Sequence, residues 1–285
     1  MQKLALVVIL LLAPGLAFAE MLSEANIKAV ADAWLAKKPA PGLGAVMTIA
    51  EAAKVQERYT ALIAKDLGRV VGYKAGLTNP AVQKRFNYDK PLRGTLYEKM
   101  ILQAGARIPA AYGVRPVFEA DMVAVVGDAA KLMAAKTPLD ALGALKEIRT
   151  FIEMPDLLFD PQVKLDGTIL LGANVVARLG VLGNPIPLPA TADSVAKLAA
   201  MKVEVLDQTG AVLGGGKGSD VLENPLNAVL WIAESLRAEG KAVKNGDLLS
   251  VGSFSALLPP KPGMTVTVRY SGLTSEPAEV KVTFE

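Results

Sequence analysis

Apolar positions recur with two different periods along this chain, and the change between them divides it. Ile27, Val30, Ala31, Trp34 and Leu35 fall three and four apart, the spacing of one side of a helix. Thr48 followed by Glu51 reads as a capping box that opens a second helix through Val55, Tyr59, Ile63 and Leu67, with Gly68 as its stop. Residues 39–44 join the two. From Val70 onward the texture becomes short apolar runs separated by glycine and proline. Residues 69–75, 118–126 and 150–153 read as strands, and 80–86 as a short helix. Residues 201–206 and 211–213 flank Asp207-Gln208-Thr209-Gly210 as a hairpin. Asn224 caps a strong helix with Pro225 in its first position and Gly240 beyond its end. Its inward face would carry Leu226, Val229, Leu230, Ala233 and Leu236. Residues 247–251, 264–270 and 278–284 complete the strands. Helices first, then many short strands, predict an α+β fold with a large mixed or antiparallel sheet system.

The first residues fit neither period. Lys3, an unbroken apolar run over 4–12, Pro14-Gly15 and then Ala17-Phe18-Ala19 make the pattern of a cleavable signal peptide, with the mature chain starting at Glu20. The run falls short of the ~20 residues of a membrane span, although an uncleaved anchor is the competing reading. The expected organisation is a signal peptide over 1–19, a helical region over 20–69 and a core over 70–285. Export places the protein in the periplasm, free of the membrane once cleaved.

Composition removes whole classes of chemistry. The chain has 285 residues and contains neither histidine nor cysteine. Imidazole or thiolate zinc sites, Ser-His-Asp and Cys-His catalysis, His- or Cys-ligated haem and disulfides are all excluded. A metal would have to sit among oxygen ligands, and proton transfer would fall to Asp, Glu, Lys, Tyr or water. The net charge of +3 comes from interspersed charges rather than a basic block, so no nucleic-acid face is expected.

Against that background a few residues stand out. Glu119 and Asp121 are two apart in an apolar strand, so both side chains point to one face, about 7 Å apart. Either they form the polar face of a half-exposed strand, or they are buried and need a cation between them. Glu153 closes another apolar run and could complete a facial set of three carboxylates. Lys74 lies in Gly72-Tyr73-Lys74-Ala75-Gly76-Leu77-Thr78, where it could offer a point charge to a ligand or simply extend to solvent. Gly214-Gly215-Gly216-Lys217-Gly218-Ser219 is not a phosphate loop, because Gly218 stands where Ser or Thr is required. It reads as a connector that lets backbone pass close to a site or a neighbouring strand.

Taken in order, these segments resemble the 2-keto-4-pentenoate hydratase and 2-oxo-3-hexenedioate decarboxylase family of the fumarylacetoacetate hydrolase superfamily. The 72–78 segment is similar to the family's G-x-K-I-G-L-T, Gly94-Thr95-Leu96-Tyr97 to G-T-L-F, and Phe118-Glu119-Ala120-Asp121 to V-E-P-E. Ile152-Glu153 resembles its L-E, and 224–231 its P-L-N-A-V-x-W helix. Gly246-Asp247, Gly252-Ser253 and Pro262-Gly263 resemble its terminal segments. The resemblance implies a fumarylacetoacetate-hydrolase-like mixed β-roll core behind a small helical N-terminal region, assembled as a homo-oligomer. It also implies Mg²⁺ or Mn²⁺ on Glu119, Asp121 and Glu153, Lys74 as the catalytic group, and Thr78, Asn174 and Ser253 as substrate-binding residues. The partner would be a small-molecule 2-oxo acid, and the reaction hydration of a 2-hydroxydienoate such as 2-hydroxypenta-2,4-dienoate. The chain departs from the pattern at Leu92, where the family carries an acid, and at Gly172-Ala173-Asn174-Val175-Val176, which keeps only Asn from A-D-N-A-S. Asp156, Tyr73 or Arg93 could replace the missing acid. The alternatives are a related decarboxylase, or an exported protein that binds a 2-oxo acid without turnover.

Overall fold

A computed structural model describes residues 23–44 and 47–285; the signal-peptide segment lies outside the described residues. Among the described residues no helix is long and apolar enough to cross a membrane.

Helices α1 (Glu24–Ala36) and α2 (Ile49–Leu67) open the chain. The Thr48 hydroxyl accepts from the Glu51 N–H while the Glu51 carboxylate accepts from the Thr48 N–H, so two otherwise unpaired donors at the start of α2 are satisfied. Ile27, Val30, Ala31 and Trp34 of α1 are buried, whereas Leu35 faces solvent.

The strands are β1 (Val70–Gly76), β2 (Leu92–Tyr97), β3 (Ile101–Gln103), β4 (Ala106–Ile108), β5 (Glu119–Val126), β6 (Leu145–Met154), β7 (Leu179–Ile186), β8 (Lys202–Leu206), β9 (Val212–Lys217), β10 (Leu248–Ser250), β11 (Thr265–Ser271) and β12 (Ala278–Phe284). One sheet has seven strands in the order β2-β1-β10-β5-β6-β7-β3, the other five in the order β4-β12-β11-β8-β9. Both are mixed: β1 runs parallel to β10, β3 to β7 and β12 to β4, among antiparallel neighbours. The larger sheet must curl. Its outermost strands, β2 and β3, are separated in sequence by only residues 98–100. A flat sheet of this order would put them six strand spacings, roughly 29 Å, apart, while that link spans about 14 Å at most.

Strand alternation then sorts residues between two sides. Ala120, Met122, Ala124, Val126, Ile148 and Ile152 face the main core, which they share with Val203, Val205, Val266, Val268, Val280 and Val282 of the smaller sheet. Glu119, Asp121, Val123 and Val125 face the other way, into the roll, where Val123, Val125, Phe151 and Leu182 form their own apolar cluster with Ile101 and Leu248. A separate core joins α1 and α2 to residues 157–159 and 170–177.

The remaining helices are α3 (Pro80–Arg85), α4 (Ala129–Ala134), α5 (Pro138–Ala144), α6 (Gly167–Gly172), α7 (Ala192–Ala200) and α8 (Pro225–Ala238). Asn224 and Pro225 start α8 as expected, but Leu230 is only half-buried, and Ala228 and Ile232 complete its inward face. The glycine connector is itself strand: Gly214, Gly215 and Gly216 pair with β8. At Gly216 a side chain would collide with the Phe254 carbonyl of the loop that crosses the end of β5.

Candidate metal centre

The interior of the roll collects the acids. β5 and β6 are antiparallel, with Glu119 directly opposite Glu153 and Asp121 opposite Phe151. Residues opposite one another share a face, so Glu119, Asp121 and Glu153 all project inward. Lys74 joins them through register: it lies beside Ser250 of β10, and Ser250 lies opposite Val123 of β5. All four side chains are buried, Asp121 completely and Lys74 at 2% exposure.

Lys74 forms an ion pair with Glu153 and donates to the Val175 carbonyl at 3.2 Å. The pair with Glu153 is not aligned as a hydrogen bond, and both oxygens of that buried carboxylate lack a hydrogen-bond donor. Asp121 is held differently. The Ser250 hydroxyl donates to one oxygen, while the Gly252 N–H (3.0 Å) and the Met122 N–H (2.6 Å) donate to the other. Gly252 has φ 103°, and a side chain there would run into the Thr78 hydroxyl, so glycine is needed to bring that N–H onto Asp121. On the far side of the sheet the Tyr270 hydroxyl lies between the carbonyls of Asp121 and Phe151, tying the two acid-bearing strands together.

Burial sets the electrostatics. It drives the Glu119 carboxyl well above the usual carboxylate range, and the facing Glu153 adds to the effect. Burial likewise pushes Asp121 up to about 8, again reinforced by Glu153. With one buried cation among them, the three buried acids can all ionise only if a further positive charge joins them. Together with the orphaned oxygens of Glu153, this all-oxygen donor set fits a hard divalent cation. The fit lies in donor chemistry and a shared face, not in a finished cage. Among the described residues no three acids stand in coordinating geometry, as Asp121 is drawn onto Ser250 and Gly252 and Glu153 onto Lys74.

The other residues singled out in the sequence fall into place less uniformly. Thr78 is buried against Gly252, beside Asp121. Ser253 turns its hydroxyl onto the Ser255 backbone, accepting from its N–H at 3.1 Å and donating to its carbonyl at 2.5 Å. The Asn174 amide is committed to Thr95, accepting from its N–H (2.7 Å) and donating to its carbonyl (2.9 Å). Leu92 is buried in the core shared with the N-terminal helices.

None of the three replacement acids or bases reaches the centre. Tyr73 precedes Lys74 and so points outward, where Arg93 lies 5.7 Å from its ring. Arg93 itself is bound to Ser235 and Glu239, at 2.8 and 2.7 Å. Asp156 forms a buried pair with Arg178 at 3.2 Å and accepts from the N–H groups of Val114, Arg115 and Leu158. Arg178 in turn stacks 4.4 Å over Trp34 and donates to its carbonyl, which fastens α1 to the core.

Sequence reasoning missed Ser250 and Tyr270. Ser250 closes a short apolar strand after Gly246-Asp247, and Tyr270 is a polar-tipped residue in an alternating strand; each was an available but weak signal.

No family model matches the chain. It is 34% identical over 218 residues to a 2-keto-4-pentenoate hydratase of Burkholderia vietnamiensis, covering 76% of this chain and 78% of that protein. It is 30% identical over 211 residues to the TodF product hydratase of Pseudomonas putida, covering 73% and 75%. Among solved structures it is similar to a 4-oxalocrotonate decarboxylase from Pseudomonas putida G7 complexed with magnesium and adipate. That match has a TM-score of 0.78 at 23% identity, covering 92% of this chain and 97% of the other.

Proposed function

The chain belongs to the 2-keto-4-pentenoate hydratase family of the fumarylacetoacetate hydrolase superfamily, and on that premise we propose how it works. It is a carbon–oxygen lyase that hydrates a small 2-hydroxydienoic acid such as 2-hydroxypenta-2,4-dienoate, with a divalent metal, Mg²⁺ or Mn²⁺, at its centre. The observation that carries the reading is the pairing of Glu119 with Glu153 across adjacent strands, with Asp121 on the same face and Lys74 on Glu153.

Glu119, Asp121 and Glu153 would hold the metal. When bound, the cation supplies Lewis acidity toward the carboxylate and C2 oxygen of a 2-oxo acid. The protein's own groups do the rest. The Ser250 hydroxyl and Gly252 N–H fix Asp121 in one orientation, so the shorter side chain is presented without a search over rotamers. Lys74 sits beside Glu153, within β1 between Gly72 and Gly76, in a site closed to bulk water. Its ammonium can protonate the terminal carbon of the dienol as the 2-hydroxyl gives up its proton and C2 becomes a ketone; water then adds at C4 of the enone, its proton returning to the lysine while C3 takes up the one the enol released. Low exposure of all four groups strengthens each of these interactions.

The test mixes purified mature protein with 2-hydroxypenta-2,4-dienoate, with Mg²⁺ or Mn²⁺ and then with chelator. Metal-dependent loss of the dienoate absorbance is expected, together with loss of both Mn²⁺ binding and turnover in Glu119→Ala. Saturable 2-oxo acid binding without turnover would replace the lyase with a binding protein. CO₂ release from a dicarboxylic analogue would make it a decarboxylase. Wild-type protein that binds no divalent metal would sink all three.

The proposal extends to the cell. The protein leaves the cytoplasm by cleavage before Glu20 and works in the periplasm as a homo-oligomer. N-terminal sequencing of the periplasmic fraction and light scattering of the purified protein test those two statements.

A further inference from the structure

Residues 174–176 hold a backbone that non-glycine residues avoid. Asn174, Val175 and Val176 are left-handed in succession, at φ 56°, 51° and 49°. Two of the three are β-branched, the type least suited to that region. Such a turn persists only where its surroundings hold it.

The hold comes from β2. The Asn174 amide accepts from the Thr95 N–H and donates to the Thr95 carbonyl, the two bonds a neighbouring strand would make at that exposed edge. Gln56 of α2 adds a bond to the Arg93 carbonyl at 2.6 Å and reaches the Asn174 side-chain oxygen at 3.4 Å. The turn so fastened directs the Val175 carbonyl at the Lys74 ammonium, 3.2 Å away. The fit along the lysine stem is equally close. A Cβ on Gly94 would lie 2.8 Å from the Asn174 carbonyl oxygen and 2.9 Å from Lys74 Cγ. Beside Gly94, then, the lysine and the strained turn pass each other with no space for a methyl group.

We propose that Asn174 is a positioning residue for Lys74 rather than a substrate contact. Its amide staples the left-handed turn to the edge of β2, and the Val175 carbonyl then fixes one N–H of the ammonium and aims the others toward Glu153. The kinetic part of this inference rests on the lyase reading above; the geometric part does not.

Two readouts separate them. The first is labelling of Lys74 by an acetylating reagent, followed by mass spectrometry, with exposed Lys99 as internal reference. In Asn174→Ala the Lys74 rate should rise about tenfold relative to Lys99 as the ammonium is released. In Gly94→Ala, whose methyl group crowds both the Asn174 carbonyl and the lysine stem, it should rise as well. The second is turnover of 2-hydroxypenta-2,4-dienoate with Mn²⁺. Asn174→Ala should lower kcat about 10²-fold, the scale of an ångström-level misplacement, with KM and the calorimetric Kd of pyruvate within about threefold of wild type. In a Lys74→Ala background the same substitution should change the residual kcat less than about twofold, because the group it serves is gone.

Unchanged Lys74 labelling in Asn174→Ala overturns the staple, whatever Gly94→Ala does. A rise in KM and pyruvate Kd with kcat intact overturns it in favour of substrate contact, and an equal loss of kcat in both backgrounds reduces it to general stability. A wild type that binds pyruvate but turns over no dienoate would refute the lyase reading alone, and the labelling would still decide the staple. Should Asn174→Ala fail to fold, Asn174→Asp, which keeps the acceptor for the Thr95 N–H and loses the donor to its carbonyl, carries both readouts.

Discussion

Chelated protein should lose stability as pH rises from about 5 to 7, the reverse of the behaviour of a protein with ion-paired surface acids. Asp121 ordinarily ionises near 3.8 and is held up to about 8 inside the roll. Glu119, ordinarily near 4.5, is raised well above that value. Both acids are ionised in the unfolded chain by about pH 6, while the folded chain keeps their protons, so the native state binds up to two more. A folded-state pKa raised in an acid favours the fold most below the unfolded value, and the advantage drains away as pH climbs toward the folded one. Each extra proton contributes a slope of about −1.4 kcal/mol per pH unit, so two give nearly −3 kcal/mol per unit as an upper bound. Against a typical domain stability of about 5–15 kcal/mol that is a large effect. Urea denaturation at about pH 5, 6 and 7 with chelator measures it, and Asp121→Asn should roughly halve the slope. Excess Mn²⁺ should flatten the curve, because metal uptake displaces the same protons, and its affinity should rise with pH. A chelated protein whose stability is level or increasing over this interval would refute the buried, protonated acids.

Three further outcomes follow from single contacts. Ser250→Ala removes the hydroxyl from Asp121 and should weaken Mn²⁺ binding by about 10- to 100-fold in calorimetry, the usual cost of losing a hydrogen bond behind a ligand. Arg178→Met leaves Asp156 buried without its partner and should cost about 3–5 kcal/mol in denaturant melts, with loosening of α1 visible as faster amide exchange around Trp34. Tyr270→Phe withdraws the hydroxyl between β5 and β6 and should cost about 1–3 kcal/mol, with the loss of amide protection concentrated at Phe151, whose N–H donates to that oxygen at 3.3 Å.

Element types were largely legible because they rest on local periodicity. The capping box at Thr48, the Asn224-Pro225 start of α8 and the acid spacing in β5 each encode their geometry within a few residues. Helices α4 and α6, six residues each, carry too few turns to impose a pattern and went unread, whereas α3 of the same length was read as a short helix. The glycine run was legible as a close approach but not as a strand, since glycine has no side chain with which to show alternation.

The sequence alone determined that any metal must meet oxygen, that Glu119 and Asp121 share a face, and that Lys74 lies between two glycines. Only the tertiary structure decided who meets whom. The register of β5 on β6 sets Glu119 opposite Glu153, and the curl of the larger sheet turns Lys74 inward while Tyr73 and Arg93 face out. It also engaged Asp156 with Arg178 and the Asn174 amide with Thr95, two groups that read as free chemistry in the sequence. The reason is physical: side-chain direction along a strand is a two-residue property, whereas register and sheet closure depend on contacts between residues far apart in the chain.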